Sequence, residues 1–256
     1  MIKILKSISA YWLSVSLAAF PISHAGIEFP DAKIEPSKTL PVFSLNTPDL
    51  NTYSASKNLS GLYSNIHLEE YGLSQKAFEF ALKGYYYLLN NNKIINNDYI
   101  TICDFSQSSR NKRLYIIDLK NGRLLINTYV AHGRNSGGEF ATRFSNRPES
   151  LESSLGFYIT ENTYIGEHGL SLKIKGVEKG FNDRAASRMI VLHGAVYAES
   201  NFLAHNGFLG RSFGCPAVPA SESKAIINTI KNGTCFFIYH PSAIYLNGSA
   251  ILNLKG

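Results

Sequence analysis

A cysteine acts as a nucleophile when its thiol can lose a proton, which a nearby imidazole, backbone dipoles and partial exposure favour. Cys215 lies in the polar, turn-rich stretch GRSFGCP at positions 210–216. His193 stands 22 residues earlier, directly after the apolar run at 189–192. We predict that these two residues form a nucleophile and base pair, although an inert packing cysteine and a turn histidine remain the alternatives.

Glycine adjoins both candidates. Gly194 follows the histidine and frees a carbonyl that can orient the ring, whereas Gly214 precedes the cysteine and permits a tight turn. A tight turn lets a substrate carbonyl approach backbone N–H groups that hold a developing oxyanion. The glycines therefore fit a tight turn and an oxyanion site around a nucleophilic cysteine.

The other two cysteines lie in strand-like apolar runs. Cys103 falls in YITICDF and Cys235 in TCFFIY, so we expect both to be buried packing residues. A disulfide between them is the alternative if their strands are neighbours. An odd cysteine count in an exported chain leaves at least one thiol outside an internal disulfide.

The elements that position these residues follow from periodicity and turn signals. Apolar spacing predicts a helix from Ser74 to about Leu89, and a second from about Ser221 to Lys231. Asn121-Gly122 indicates a tight hairpin, and the polar segment 132–153 a long functional loop. Short strands are predicted at 99–105, 113–118, 123–131, 156–160, 171–175, 189–192 and 234–239.

The first 60 residues have a different character. Lys3 and Lys6 precede an apolar stretch and the small-residue site Ser23-His24-Ala25, which is typical of a signal peptide over 1–25. A retained membrane anchor is the alternative. Four prolines between 30 and 48 indicate an extended arm over 26–60. We expect a catalytic domain at 61–240, a C-terminal tail at 241–256 and export to the periplasm or cell envelope, with membrane contact only before cleavage.

Composition narrows the class further. Tyr and Phe number 15 each and charged residues make up only 17%, so we expect a mainly β fold with a few helices. The basic residues are scattered, which argues against a nucleic-acid partner. Seven histidines leave a zinc peptidase open as a rival. The usual zinc-ligand spacings are absent from the sequence, however, and we expect neither a metal nor an organic cofactor.

The stretches IVLHG (190–194) and GRSFGCPAV (210–218) resemble the YkuD-type L,D-transpeptidase catalytic domain, in the branch with a Gly-Arg-Ser-aromatic-Gly-Cys-Pro-Ala-Val motif. The resemblance extends over most of 99–239. It implies a mixed β-sandwich in which Cys215 is acylated, His193 is the base and the Gly194 carbonyl fixes the imidazole. Amides near Phe213, Gly214 and Cys215 would form the oxyanion hole. Arg211 and Ser212 would shape it.

One position departs from the commoner branch of the family, which has Ser-His-Gly-Cys where this chain has Phe213 before Gly214. Either the second histidine is dispensable or His205, in a predicted surface turn, replaces it. His132 and His168 fit a substrate groove or ordinary turns equally well. Further candidates have structural alternatives: Tyr164 and Tyr197 as stacking residues or core, and Arg188 as a carboxylate ligand or surface ion pair.

The resemblance implies attack on peptidoglycan stem tetrapeptides, release of the terminal D-alanine and transfer of the acyl group to an amine. The acceptor is a stem amine, a protein lysine or water, so carboxypeptidase trimming is the nearest alternative. A non-catalytic wall-binding protein is the other. We expect carbapenem to form a covalent adduct on Cys215, which a binding protein would not do.

Overall fold

The computed structural model describes residues 61–253, so the predicted signal peptide (1–25) and the predicted extended arm (26–60) lie outside the described residues. Within this part of the chain, no helix is long and apolar enough to cross a bilayer. The strands are β1 (Tyr99–Asp104), β2 (Leu114–Asp118), β3 (Arg123–Thr128), β4 (Gly156–Gly166), β5 (Gly169–Gly176), β6 (Val191–Ala195), β7 (Ala217–Pro219) and β8 (Cys235–Tyr239). The helices are α1 (Gln75–Asn90), α2 (Ser200–Asn206), α3 (Ala220–Ile230), α4 (Ala243–Gly248) and α5 (Ala250–Asn253).

The strands form one mixed sheet of eight strands in the order β3-β2-β1-β8-β4-β5-β6-β7. Only β1 with β8 and β6 with β7 pair in parallel. The chain after β3 reaches the opposite edge, because Ala131 forms an antiparallel bridge with Ala217 of β7. The two edges therefore approach each other and the sheet curls towards a barrel. The prediction of a mainly β, mixed-sheet fold with few helices is confirmed.

The first long helix lies against the sheet as the periodicity predicted. The side chain of Ser74 caps it by accepting a hydrogen bond from the Ala77 amide at 3.1 Å. Gly84 faces the sheet, where an added Cβ would lie 2.0 Å from the Phe157 ring. Glycine therefore lets helix and strand approach closely, and the apolar face of α1 joins the main core.

The strand that carries His193 begins later than predicted. The amide of Ile190 donates to the Ala185 carbonyl at 2.9 Å, and Met189 has a positive φ of 55°. A turn thus holds 189–190, and β6 begins at Val191. His193 consequently lies inside the strand, paired with Ser171 of β5 and Ala217 of β7.

The segment 241–256 is more than a tail, because it carries α4 and α5 and these pack onto the domain. Tyr245 and Ser249 both donate to the carboxylate of Glu178, the former at 2.8 Å. The Phe157 amide donates to the same carboxylate at 2.7 Å. Glu178 is buried, and burial raises the pKa of its carboxyl, an effect opposed by these hydrogen bonds. The C-terminal helices are therefore fastened to β4 through one buried acid.

Cys103 and Cys235 are buried and free, on neighbouring strands. Cys235 pairs with Ile100, so Cys103 lies three residues further along the parallel ladder. Three residues correspond to about 10 Å along a strand and place the two side chains on opposite faces. A disulfide cannot span that separation, and both residues serve as packing residues as expected.

Candidate active site

His193 is held in one tautomer by the residue that follows it. Its Nδ1 lies 3.0 Å from the Gly194 carbonyl oxygen. Because a carbonyl only accepts, Nδ1 carries the proton and the Nε2 lone pair of the neutral ring is available as a base. Burial lowers the pKa of His193, the Gly194 hydrogen bond opposes this, and the neighbouring His168 lowers it again. The arrangement favours a neutral imidazole.

Gly194 is required where it stands. A Cβ at this position would lie 2.6 Å from Ser223 Oγ and 3.1 Å from the Ala220 Cα at the start of α3. The helix thus packs directly on the backbone of β6, and only glycine permits that approach. The carbonyl that orients His193 is therefore fixed by the packing of α3.

A second imidazole covers the first. The rings of His168 and His193 are stacked with centroids 4.1 Å apart and an interplanar angle of 19°. His168 comes from the exposed turn between β4 and β5, whereas His193 is 2% exposed. The sequence offered His168 as a groove or turn residue and gave no signal for this contact, which depends on the pairing of β5 with β6.

Cys215 lies immediately before β7, beside the start of β6. Its Sγ accepts from the Val191 amide at 3.4 Å and lies 3.6 Å from the Met189 carbonyl oxygen. The register pairs His193 with Ala217, so Cys215 falls opposite Val191, one same-face step from the histidine. Among the described residues, the sulfur's hydrogen-bonding partners are these two backbone groups.

The surroundings of Cys215 favour the protonated thiol. Burial raises the pKa of Cys215, while the Val191 amide and the charge of Arg188 oppose that effect. A thiol with a raised pKa beside an imidazole with a lowered pKa describes a neutral pair.

The turn before the cysteine is braced by two serines. Ser212 Oγ donates to the Cys215 carbonyl at 2.6 Å and accepts from the Gly214 amide at 3.1 Å. Ser153, from the long loop, donates to the Gly214 carbonyl at 3.1 Å. Gly214 has a φ of 125°, and a Cβ there would lie 2.9 Å from the Glu152 carbonyl oxygen. Sequence reasoning missed Ser153, because only the fold brings the loop onto this turn.

These hydrogen bonds change which amides face a substrate. The Gly214 N–H is occupied by Ser212 Oγ, so it is not available to an oxyanion in this arrangement. Within residues 61–253, the N–H groups of Phe213 and Cys215 donate to no other residue. Those two amides, rather than that of Gly214, are the free donors of the predicted oxyanion hole.

Arg188 is neither a surface ion pair nor a free carboxylate ligand. Its guanidinium donates to the carbonyl oxygens of Ser145 and Glu152 at 2.7 and 2.6 Å, and to the hydroxyl of Ser150 at 3.1 Å. These contacts anchor the loop 145–154 beside residues 212–215, the turn before β7 that we call the nucleophile turn. Its positive charge also lowers the pKa of the nearby Cys215 thiol.

The remaining predicted residues lie around this centre in different settings. His205 belongs to α2 rather than to a turn, is exposed, and bonds through Nδ1 to the Asn201 carbonyl at 2.7 Å. Arg211 donates to the Gly137 carbonyl at 3.0 Å. Phe213 is 68% exposed beside the nucleophile. Tyr164 is partly exposed near Lys173, and burial raises the pKa of Tyr197.

His132 is a buried residue that supports the turn before Cys215. Its ring is fully buried and accepts from the Arg113 guanidinium through Nδ1 at 2.8 Å, and its carbonyl accepts from the Ser212 amide at 2.9 Å. Burial, with the charge of Arg113, lowers the pKa of His132 to about 3. The residue is therefore a neutral structural support. In the described part of the chain no three His, Cys, Asp or Glu side chains are grouped as metal ligands.

The domain is mainly β and holds an oriented histidine within β6 and a cysteine directly before the neighbouring strand β7. A model of the L,D-transpeptidase catalytic domain matches residues 69–239. The chain belongs to this family, whose members are peptidoglycan-modifying enzymes. A search of curated proteins finds no match.

Solved structures that are similar to this chain include L,D-transpeptidases, at low sequence identity. The helical cell shape determining protein of Campylobacter jejuni is 12% identical, with a TM-score of 0.40 over 64% of this chain and 56% of that one. An L,D-transpeptidase of Mycobacterium tuberculosis is 15% identical, with a TM-score of 0.33 over 56% and 58%. An L,D-transpeptidase from Xylanimonas cellulosilytica is 13% identical, with a TM-score of 0.33 over 55% of this chain and 60% of that one. The chain thus spans less than two thirds of the length of each.

Proposed function

We propose that the protein is a cysteine-dependent L,D-transpeptidase that acts on peptidoglycan stem tetrapeptides through a thioester on Cys215. The observation that carries this proposal is the orientation of His193. Its Nδ1–H is committed to the Gly194 carbonyl, which leaves Nε2 free for proton transfer on the strand next to Cys215. A cysteine that served only for packing would need no such neighbour.

The first half of the reaction follows from the neutral pair. The thiol proton passes to Nε2 of His193 as Sγ attacks the carbonyl carbon at the L,D bond. The tetrahedral intermediate collapses when the imidazolium returns the proton to the departing amine of D-alanine. A thioester on Cys215 and free D-alanine result. Hydrogen bonds between nucleophile and base are commonly long in an unliganded site and shorten when substrate binds.

The developing oxyanion would lie against the amides of Phe213 and Cys215, which have no other partner among the described residues. Ser212 and Ser153 contribute by fixing the backbone of this turn. Donors that are already oriented stabilise the transition state without a cost of reorganisation. Gly214 contributes through its backbone conformation rather than its amide.

His168 takes the part of a positioning residue. Its ring covers one face of His193 at stacking distance, which limits rotation of the base and shields it from water. Two stacked imidazoles disfavour simultaneous protonation, so this contact helps to keep His193 neutral. The commoner branch of the family places a second histidine beside the cysteine, and here an imidazole approaches from the turn between β4 and β5 instead.

In the second half, His193 removes a proton from the acceptor amine, which attacks the thioester and restores the thiol. A stem amine gives a crosslink, a protein lysine gives an anchored protein, and water gives a trimmed stem. The experiment is mass analysis of muropeptides after incubation of the purified protein with tetrapeptide stems. We expect loss of D-alanine together with a crosslinked dimer. Trimmed tripeptide alone would favour the carboxypeptidase, and unchanged tetrapeptide would favour a binding protein.

We further propose that the chain is exported to the periplasm or cell envelope, where this substrate lies. The proposal is supported by Lys3 and Lys6, the apolar stretch after them and the small-residue site before Gly26. The test is the N-terminal sequence of the protein recovered from the envelope. A mature chain that begins near Gly26 supports cleavage, and an intact Met1 terminus in the cytoplasm contradicts export.

A further inference from the structure

A cleft of about 360 Å³ opens beside the nucleophile turn. Apart from Gly210 and Asn206, its lining residues are two arginines and a group of apolar side chains, namely Arg134, Arg211, Phe202, Phe208, Leu209 and Phe213. We call it the arginine cleft. It is contributed by α2, the nucleophile turn and the start of the long loop.

The charge of the cleft is uncompensated. None of the described residues that line it is acidic, and neither guanidinium is within salt-bridge distance of a carboxylate in the described chain. Arg211 spends one N–H group on the Gly137 carbonyl. The side chain of Arg134 has no hydrogen bond to a described residue and lies over the Phe213 ring, 6.0 Å from its centroid. Two such groups offer forked donors to a planar anion.

Phe213 joins the cleft to the reacting atoms. Its side chain lines the cleft, whereas its amide is one of the two free donors beside Cys215. Two residues of chain span at most about 7 Å. A substrate whose carbonyl lies at the Phe213 amide can therefore extend its next residue towards the cleft that contains the two arginines.

We propose that the arginine cleft binds a carboxylate of the donor stem peptide, the peptide that is acylated onto Cys215. This inference rests on the proposed function and adds the chemical class that the site selects. The carboxylate comes from one of two places, the C-terminus of the departing residue or the side chain of the residue that gives the acyl group. The aromatic rings flank the guanidinium groups and limit their hydration, which strengthens the pairing.

The experiment measures binding separately from turnover. Cys215→Ala protein is titrated calorimetrically with a synthetic tetrapeptide that carries both carboxylates, then with peptides in which one or the other is an amide. We expect one of the two amides to bind about tenfold more weakly, a loss on the scale of one exposed, charge-assisted contact. Adding Arg134→Gln should produce the same loss with the carboxylate peptide and none with that amide.

The matched control is Arg110→Gln, because Arg110 is an exposed arginine that does not line the cleft. Arg211→Lys keeps the positive charge but removes the paired N–H donors of the guanidinium, so an intermediate loss of affinity is expected for that variant. Equal affinities for all three peptides, or equal losses in Arg134→Gln and Arg110→Gln, would overturn the proposal. Release of D-alanine by the wild-type protein is assayed separately, so failure of the catalytic proposal is distinguished from failure of the cleft.

Discussion

The Glu178 cluster under the C-terminal helices and the Cys215 site on β6 and β7 are both largely buried, yet their polar groups are used differently. In the cluster, three donors converge on one carboxylate. In the site, two amides donate to no described residue, and the Nε2 atom of His193 has no partner there. A closed network stabilises a fold, whereas open donors and acceptors in a site are available to a ligand.

This contrast separates residues that hold the domain from residues that do chemistry. Burial raises the pKa of Glu178 and of Cys215 alike. The acid is surrounded by fixed donors, but the thiol is next to a base that can take its proton. Substitutions in the Cys215 site should therefore change turnover, whereas substitutions in the Glu178 cluster should change the free energy of unfolding.

The largest effect is expected at the base. His193→Gln removes the proton acceptor from beside Cys215, so release of D-alanine from a tetrapeptide should fall by about 10²–10⁴-fold. The melting temperature should change little, because the site does not hold the domain together. Equal loss of activity and of folded protein would mean that His193 is structural.

The opposite pattern is expected at Glu178. Glu178→Ala leaves the Tyr245 and Ser249 hydroxyls and the Phe157 amide without their acceptor. We expect a loss of about 3 kcal/mol in the free energy of unfolding, measured with urea, and normal D-alanine release per folded molecule. Glu222→Ala, at an exposed position of α3, is the control and should change the free energy of unfolding by no more than about 0.5 kcal/mol. Loss of turnover in fully folded Glu178→Ala protein would erase the distinction between the two regions.

The sequence predicted the parts of the site that depend on local pattern. Cys215, Gly214 and Gly194 stand in turns and strand ends whose residue types indicate their conformation, and helix α1 follows from periodicity and its Ser74 cap. β7 was missed because three residues give no periodic signal, and β6 was placed two residues early because its apolar run begins inside a turn.

What could not be predicted depends on contacts between distant segments. The stack of His168 on His193 requires the register of β5 against β6. The brace from Ser153 requires the loop to return to the nucleophile turn, and Tyr245 acquires a role only through Glu178. Hydroxyl and imidazole side chains are common on surfaces, so their types alone indicate no partner.

Two glycines test whether the backbone conformation of the nucleophile turn is needed for activity. Gly214 and Gly207 both have positive φ, but a Cβ at Gly207 meets nothing within 4 Å. Gly207→Ala should cost about 1 kcal/mol of stability with unchanged turnover. Gly214→Ala carries the same backbone penalty and also displaces the Glu152 carbonyl or the turn, so D-alanine release should fall at least about tenfold. Identical behaviour of the two variants would contradict the turn's role.

The smallest effect concerns pH. His193 must be neutral to accept a proton, and its pKa is lowered, so kcat/KM should rise with pH at values below about 6.5. His168→Ala removes cover and a neighbouring charge, which raises the pKa of His193 and moves this rise upward by about half a unit to one unit. His205→Ala should leave it in place, since that ring bonds within α2. A rise centred above pH 8 in the wild-type protein would instead indicate direct titration of the thiol.

Whether an accessible sulfur at 215 is activated for acyl transfer is tested most directly by intact-mass measurement after exposure to a carbapenem. We expect one covalent adduct on the wild-type protein, located at Cys215 and absent from Cys215→Ala. Buried Cys103 and Cys235 should remain unmodified. An unmodified wild-type protein, or an adduct that persists in Cys215→Ala, would contradict the account.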